Sequence, residues 1–215
     1  MLKRILKITV ICLISLIVLG GAGVYWLGRT AEKKPQALFN WIYKHPMGFF
    51  TKDPNALLVE TVSDKAPGKA LDIAMGEGRN AVWLAMKGWD VTGFDISDEA
   101  LRQAENRAGK AGVKINAVKS ASETFEYGHE QWDLIVMSYV WAPIRDAGYI
   151  ARLRDSLKPG GLLVFEHYRE SHGAQPGETR KDFGVFEILR YEELVAKSDW
   201  VFQAKQPLVR MVATR

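Results

Sequence analysis

Two aspartates and two glycines form the group of residues whose types and spacing most clearly indicate chemistry. Asp72 lies in the apolar run 69–74, Gly76 and Gly78 follow that run, and Asp95 comes 17 residues after Gly78. A glycine turn between a strand and a helix lets a ligand approach the backbone closely. A carboxylate at the end of the next strand can accept hydrogen bonds from both hydroxyls of a ribose. The pattern therefore predicts a site for an adenosine-containing ligand.

The charge of Asp72 helps to choose between such ligands. Gly76, Gly78 and Ala81 match the G-x-G-x-x-A pattern of dinucleotide sites, which makes an NAD-dependent oxidoreductase one alternative. A carboxylate four residues before Gly76 would repel an anionic pyrophosphate, but it would attract a ligand that carries an ammonium group. Asp72 therefore favours a cationic ligand. A purely structural role of the two glycines, in a tight turn, is the other alternative.

The elements that must position these residues follow from the hydrophobic pattern after about Leu57. The predicted strands are 69–74, 90–94, 115–118, 132–138 and 162–166, and the predicted helices are 80–87, 98–111, 144–157 and 191–198. Strands that alternate with helices form a parallel sheet covered on both faces. Two further apolar runs, 200–204 and 208–213, are separated by only three residues and predict an antiparallel hairpin. The fold class is therefore α/β, with a doubly wound, mostly parallel sheet and a C-terminal antiparallel hairpin.

The stretch 8–27 is a separate feature, because it contains no charged residue. As a helix, its 20 residues would be about 30 Å long, which is the thickness of the hydrocarbon core of a bilayer. Basic residues precede it, and Tyr25 and Trp26 lie where an interfacial aromatic belt would be. We expect residues 1–34 to be an N-terminal membrane anchor with one transmembrane helix and a linker. A cleaved signal peptide, followed by export, is the alternative.

Charge and cysteine content exclude several classes of function. The 215-residue chain has a net charge of +4, of which residues 1–34 carry +5 and the remainder carries −1. A nucleic-acid-binding face is therefore not expected. The single cysteine, Cys12, excludes a disulfide scaffold and a cysteine-based metal cluster. No group of His, Asp and Glu residues has the spacing of metal ligands.

Four motifs in order, LDIAMGEGRN, VTGFDIS, WDLIV and LKPGG, resemble those of class I S-adenosylmethionine-dependent methyltransferases. The resemblance covers about 57–215 and is strongest to the small-molecule branch near the tellurite-resistance and thiopurine methyltransferases. It implies a Rossmann-like fold, S-adenosyl-L-methionine as the cofactor, and a small-molecule methyl acceptor. It also implies a methyltransferase domain over 35–215, in which residues 35–56 form a lid over the active site. Because this cofactor is made in the cytoplasm, we expect the catalytic domain there, beside the membrane.

The resemblance also implies roles for individual residues. Asp72, Ala74, Gly76 and Gly78 would line the methionine end of the cofactor. Asp95 would bind the ribose hydroxyls, Ile96 would pack on the adenine, and Ser138 and Tyr139 would border the methionine and the transferred methyl.

Two departures from the family pattern affect cofactor binding. The family usually has glycine where Ala74 stands. It also has an acidic residue after the third strand, where this chain has Ser120 or Ala121, so either Ser122 or Glu123 substitutes or the adenine is held more weakly. A non-catalytic protein that binds an adenosine ligand is therefore an alternative. A polyamine-synthase-like aminopropyl transferase shares the fold, but the extra acidic residues that it needs are not evident.

The chemistry of methyl transfer sets few demands on side chains. In-line displacement at a sulfonium disperses charge, so proximity and alignment supply much of the acceleration. A general base is needed only if the acceptor must lose a proton. His167 and Tyr168, directly after the fifth strand, are the candidates for this base, although His167 could equally be a partly buried histidine bonded to the backbone. Tyr139, beside the transferred methyl, is the third catalytic candidate.

Overall fold

The computed structural model describes residues 35–45, 50–169, 174–200 and 205–215. The helices of this part are α1 (Pro35–Lys44), α2 (Ala56–Val62), α3 (Arg79–Met86), α4 (Asp98–Lys110), α5 (Ala147–Ser156) and α6 (Glu178–Asp182). The strands are β1 (Lys69–Ile73), β2 (Asp90–Asp95), β3 (Asn116–Lys119), β4 (Trp132–Ser138), β5 (Leu157–Tyr168), β6 (Glu187–Lys197) and β7 (Lys205–Thr214).

The described strands form one sheet with the order β3-β2-β1-β4-β5-β7-β6. The five strands from β3 to β5 are parallel, whereas β7 is antiparallel to both β5 and β6. The strand order reverses between β1 and β4, and ligands of open α/β sheets bind in the crevice at that point. The predicted α/β class, with its mostly parallel sheet and antiparallel C-terminal hairpin, is confirmed.

Apolar side chains on the two faces of the sheet form two cores. One core contains Phe94, Tyr149 and Phe165, and the other contains Leu58, Leu84 and Val164. A sheet covered on both faces needs nearly continuous apolar strands, and β4 (WDLIVMS) is such a strand. This double cover fixes the carboxyl ends of β1, β2 and β4, from which the candidate site is built.

Side-chain caps determine where several helices begin. Asn55, Ser97 and Asp146 each accept a hydrogen bond from the backbone N–H three residues further on. Such caps satisfy one of the N–H groups that a helix start leaves without a partner. The cap at Asp146 explains why α5 begins at Ala147 rather than at the predicted residue 144.

The C-terminal region differs from the sequence prediction in one respect. Residues 191–198, predicted as a helix, fall mostly within β6, which pairs with β7. Residues 201–204, most of the predicted strand 200–204, lie outside the described residues. The segment is rich in Glu, Leu and Lys, which favour helices, but pairing that runs from Glu187 opposite Thr214 to Lys197 opposite Lys205 overrides this propensity. The prediction of a helix at 191–198 was therefore wrong, and residues 205–207, predicted as the connection of the hairpin, are part of β7.

The predicted membrane anchor lies in residues 1–34, outside the described residues. Among the helices of the described ranges, none is both long enough and apolar enough to span a bilayer.

Candidate active site

A cavity of about 650 Å³ opens at the carboxyl ends of β1, β2, β4 and β5. Eight of the nine predicted cofactor-binding residues line it: Asp72, Ala74, Gly76, Asp95, Ile96, Ser122, Glu123 and Ser138. The predicted catalytic candidates Tyr139, His167 and Tyr168 line it as well. Residues that are far apart in the sequence therefore surround one space, whose volume is within the usual range for small-molecule sites.

Gly78 is the predicted residue that does not line the cavity. It is the N-cap of α3 and has φ +75°, a conformation that favours glycine. A β-carbon at this position would lie 2.9 Å from Cβ of Ala104 on α4. Gly78 thus permits the turn into α3 and the close packing of α3 on α4.

Asp72 is almost completely buried in the wall of the cavity. Its Oδ2 accepts a hydrogen bond of 3.0 Å from the backbone N–H of Ala81, in the first turn of α3. Burial raises the pKa of Asp72 to about 7, although the Arg79 guanidinium and the Ala81 N–H oppose this rise. A positively charged group in the cavity would therefore be attracted by Asp72 and would favour its ionised form.

Asp95 connects the glycine turn to the start of α4. Its Oδ2 accepts from the backbone N–H of Gly76 at 3.0 Å, and its Oδ1 accepts from that of Ser97 at 2.8 Å. Burial raises the pKa of Asp95, and hydrogen bonds from the N–H groups of Ser97, Gly76 and Ile96 oppose that effect. Each carboxylate oxygen retains acceptor capacity for a further donor, as a pair of ribose hydroxyls requires.

Backbone strain marks the turn after β1. Ala74 has φ +51°, although it carries a side chain, and Gly76 has φ +56°. Such conformations cost a residue with a β-carbon about 1–2 kcal/mol. Glycine at 76 avoids this cost and leaves its backbone open to the cavity, whereas Ala74 bears the strain at the position where the family usually has glycine.

The aromatic side of α1 covers this turn. Pro35, Phe39 and Tyr43 lie on one face of α1, and all three line the cavity. The α1 helix is held on α4 by hydrogen bonds from Ser97 Oγ to Asn40 Oδ1 (2.7 Å) and from Gln103 Nε2 to the Tyr43 carbonyl (2.8 Å). The segment before β1 thus supplies part of the cavity wall.

The residues present fit S-adenosylmethionine. The cavity offers a buried carboxylate for an ammonium group (Asp72), a carboxylate with acceptor capacity for two hydroxyls (Asp95), and a glycine turn without a side chain (Gly76). Burial gives each charge–hydrogen-bond interaction more weight than it would have in water. After β3, the buried Ser122 and the exposed Glu123 both border the cavity, so both remain candidates for the adenine side.

The three catalytic candidates make different contacts. Tyr139 donates its hydroxyl to Oε1 of the buried Glu166, and both burial and that carboxylate raise its pKa. His167 Nε2 donates to the Val140 carbonyl over 2.9 Å. Tyr168 Oη lies 3.2 Å from Ser198 Oγ. His167 therefore makes the backbone bond that its structural alternative predicts, while also lining the cavity.

Sequence reasoning missed several polar and aromatic residues of the site. Arg79 and Glu166 are buried and charged, and Trp200 lines the cavity beside Tyr139. The partners of Arg79 include Asp53, Ser138 and Asp199, which are distant in sequence, so no local pattern could reveal them. The one available signal was the arginine that directly follows the glycine turn.

In the described part of the chain, no group of three His, Cys, Asp or Glu residues is placed to hold a metal ion.

Comparison with known proteins finds a matching family model and curated relatives that are similar to part of this chain. Residues 70–161 match a family model described as "Methyltransferase domain". The ubiquinone biosynthesis O-methyltransferase of Photobacterium profundum is 32% identical over 117 residues, which are 52% of this chain and 50% of that protein. Hemagglutinin 1 of Eikenella corrodens is 28% identical over 153 residues, which are 63% of this chain and 49% of that protein. The chain thus spans about half the length of these curated relatives.

Solved structures show the same fold. TehB from Haemophilus influenzae superposes with a TM-score of 0.61 at 18% identity, covering 84% of this chain and 66% of that one. The N-methyltransferase NodS from Bradyrhizobium japonicum WM9 superposes with a TM-score of 0.59 at 22% identity, covering 74% and 93%. Residues 70–161 therefore match a methyltransferase domain, and the motifs and the site are similar to those of the class I S-adenosylmethionine-dependent type.

Proposed function

We propose that the chain transfers a methyl group from S-adenosylmethionine to a small-molecule acceptor. The observation that carries this proposal is the convergence of Asp72, Gly76 and Asp95 on one cavity that aromatic side chains also line. The family match and the resemblance of the motifs support it.

The protein's contribution to the reaction is mainly positioning. When bound, the cofactor supplies a methyl group on a positively charged sulfur, which is open to direct displacement. Asp72 would hold the ammonium end and Asp95 the ribose, so that the sulfur end lies toward Ser138 and Tyr139 at the end of β4. Fixing both reactants in this way supplies much of the acceleration, because alignment rather than charge creation limits the reaction.

The acceptor would bind on the side of the cavity formed by Tyr139, His167, Tyr168 and Trp200. These residues lie at or after the ends of β4, β5 and β6, and they line the cavity together. His167 and Tyr168 are the groups that could take a proton from an acceptor that must lose one, and Tyr139 borders the reacting methyl. The predominance of rings in this wall favours an acceptor with an apolar body.

Membrane tethering by residues 8–27 remains part of the proposal. Pro35, the first residue of α1, borders the cavity. Only the seven residues 28–34 separate it from the end of the apolar stretch. A tether there would keep the cavity near the bilayer surface, which is suited to an acceptor that partitions into the membrane. The catalytic domain would face the cytoplasm, where the cofactor is made.

Residues 35–56 would act as the lid. Tyr43, Phe50 and Thr51 border the cavity from this segment, and ring contact between Tyr43 and Phe50 (centroids 5.6 Å apart) joins its two parts. Closing such a segment over the cofactor excludes water from the site.

The experiment that tests the function is a methyl-transfer assay on the 215-residue chain. Labelled cofactor is incubated with lipophilic and polar acceptors, the latter including amines, and products are identified by mass spectrometry. Transfer to lipophilic acceptors supports the proposed methyl transfer and the apolar acceptor. Efficient transfer to a polar amine alone would contradict the apolar acceptor. Tight cofactor binding without transfer to any acceptor would favour the non-catalytic alternative.

A further inference from the structure

Two short segments cover the acceptor side of the cavity. We call residues 50–55 the N-terminal cover and residues 198–200 the C-terminal cover. The backbone N–H of Thr51 donates to the Trp200 carbonyl over 3.1 Å, and Asn55 Nδ2 donates to Asp199 Oδ2 over 2.9 Å. The two covers, which are about 145 residues apart in the sequence, are therefore bonded to one another.

Arg79 fastens both covers to the sheet. Its Nη1 donates to the carbonyls of Asp53 (2.9 Å) and Asp199 (2.8 Å), and its Nη2 donates to Asp199 Oδ1 (3.0 Å) and to Ser138 Oγ (3.1 Å). The side chain is only 8% exposed, and it lines the cavity. One guanidinium thus joins the N-terminal cover, the C-terminal cover and the end of β4.

The geometry of these four bonds needs a guanidinium. Arginine presents five N–H donors in a rigid planar fork, whereas the lysine ammonium is a compact charge with three donors. A lysine could retain the ion pair with Asp199 but could not reach the acceptors of all three elements together. A buried guanidinium that loses some of its hydrogen bonds also costs free energy. The bonded position of the two covers therefore depends on all four hydrogen bonds of Arg79.

The consequence of this fastening is the position of Trp200. The indole ring lies 5.5 Å from the Tyr139 ring at an interplanar angle of 15°, and 5.6 Å from the Phe50 ring. All three rings line the cavity. Because Trp200 follows Asp199 directly, the bonds from Arg79 to Asp199 hold the indole against Tyr139.

We propose that Arg79 is a positioning residue, whose bonds to Asp199 hold Trp200 in place as a movable wall of the acceptor subsite. The acceptor enters when the Arg79–Asp199 pair opens, and the pair re-forms over it. The role in acceptor entry rests on the proposed function. The bonds between Arg79 and Asp199, which we call the Arg79–Asp199 clasp, belong to the chain itself and do not depend on the acceptor.

The test measures how well Trp200 is shielded from solvent in the full chain. Acrylamide quenching of tryptophan fluorescence is recorded for each protein and for the same protein carrying Trp200→Phe, and the difference isolates Trp200. We expect Arg79→Lys and Asp199→Asn each to raise the quenching of Trp200 about twofold or more, because local opening becomes more frequent. The double variant should exceed neither single variant by much, because both weaken the same set of bonds between residues 79 and 199.

A matched control distinguishes the loss of the Arg79–Asp199 clasp from the effect of replacing any arginine by lysine. Arg102 lies on the exposed face of α4 and pairs with Glu99, so Arg102→Lys should leave Trp200 quenching unchanged. Circular dichroism confirms that each variant is folded. Asp199 is 23% exposed, so Asp199→Asn keeps the test decisive should Arg79→Lys fail to fold. Unchanged quenching of Trp200 in a folded Asp199→Asn protein would overturn the proposal.

Calorimetry with S-adenosylhomocysteine on the same proteins distinguishes this inference from the proposed function. If the unaltered chain does not bind the compound, the proposed function fails, while the quenching result still decides whether the clasp exists. If binding is intact, the acceptor KM should rise more than kcat falls in Arg79→Lys. A fall in kcat with an unchanged acceptor KM would contradict a role at acceptor entry.

Discussion

The hydroxyl oxygen of Tyr43 lies only 2.5 Å from the point where a β-carbon would stand at Gly76. The α1 helix and the glycine turn are therefore fitted to one another so closely that no side chain can be added between them. The contact brings an aromatic hydroxyl of the N-terminal segment over the turn that is expected to hold the cofactor.

Gly76→Ala should therefore damage both stability and cofactor binding. The left-handed backbone at this position costs a residue with a β-carbon about 1–2 kcal/mol, and the methyl group would also displace Tyr43. We expect the free energy of unfolding to fall by about 1–3 kcal/mol and cofactor affinity to fall by at least about tenfold. Urea unfolding and calorimetry measure the two effects.

Gly88→Ala is the matched control for that prediction. Gly88 also has a positive φ, of +89°, but its nearest neighbour would be Cγ of Pro67 at 3.5 Å, and it does not border the cavity. This variant should lose about 1 kcal/mol of stability and bind the cofactor normally. Equal losses of affinity in the two variants would show that the turn at Gly76 has no special part in binding.

Ala74→Gly should make the protein more stable. Ala74 has φ +51°, so glycine at this position relieves about 1–2 kcal/mol of backbone strain in the folded protein. Glycine also gives the unfolded chain more conformational entropy, which lowers the free energy of unfolding by about 0.4–1 kcal/mol. A net gain of about 0.5–1 kcal/mol in urea unfolding is expected, with cofactor binding as tight or tighter. Ala108→Gly, within the helix α4, should instead lose about 1 kcal/mol or more. A loss of stability in Ala74→Gly would refute the account of strain at this turn.

Asp95→Asn should weaken cofactor binding without unfolding the protein. The substitution removes the charge from the hydrogen bonds to the ribose, each worth about 1.5–3 kcal/mol, so Kd should rise about 10–100-fold. Asp90→Asn, at the exposed start of the same strand, should leave Kd unchanged. An unaltered Kd in Asp95→Asn would place the ribose elsewhere.

The raised pKa of Asp72 predicts a pH dependence of binding. With a pKa of about 7, the carboxyl group is mostly ionised at pH 8 and mostly neutral at pH 6. Because only the ionised form attracts an ammonium group, cofactor affinity should be about tenfold higher at pH 8 than at pH 6. Asp72→Asn should bind weakly at both pH values. Calorimetry across this range is the measurement, and an affinity of the unaltered chain that is independent of pH would contradict the role of Asp72.

The same group predicts the opposite trend for stability without ligand. Between about pH 4 and pH 7, folded Asp72 holds a proton that the unfolded chain has lost, so its contribution to the free energy of unfolding falls as pH rises. Above pH 7 that contribution is constant. The difference between the unaltered chain and Asp72→Asn in urea unfolding isolates this effect, and a difference that grew more favourable to the unaltered chain with rising pH would contradict it.

The parallel part of the fold could be predicted because its signals are local. Each of β1, β2 and β4 is a short apolar run, and Gly76 and Asp95 lie in motifs whose order fixes the topology. The strand β6 could not be predicted, because its residues favour a helix and only pairing with β7 makes it a strand. Edge strands with half-exposed faces lack the continuous apolar pattern that marks a central strand.

The site could be predicted to a similar extent. Asp72 and Asp95 are recognisable because strand ends and spacing indicate their roles. Arg79 and Trp200 gain theirs only from tertiary contacts, Arg79 through Asp199 and Trp200 through Tyr139. Such contacts between distant segments leave no periodic pattern in the sequence.

Calorimetric titration of the chain with S-adenosylmethionine, S-adenosylhomocysteine and NAD tests the central claim most directly. The cavity with Asp72 and Asp95 predicts micromolar binding of the two sulfur compounds and no binding of NAD. Failure of both sulfur compounds to bind, or preferential binding of NAD, would contradict the assignment of this cavity to S-adenosylmethionine.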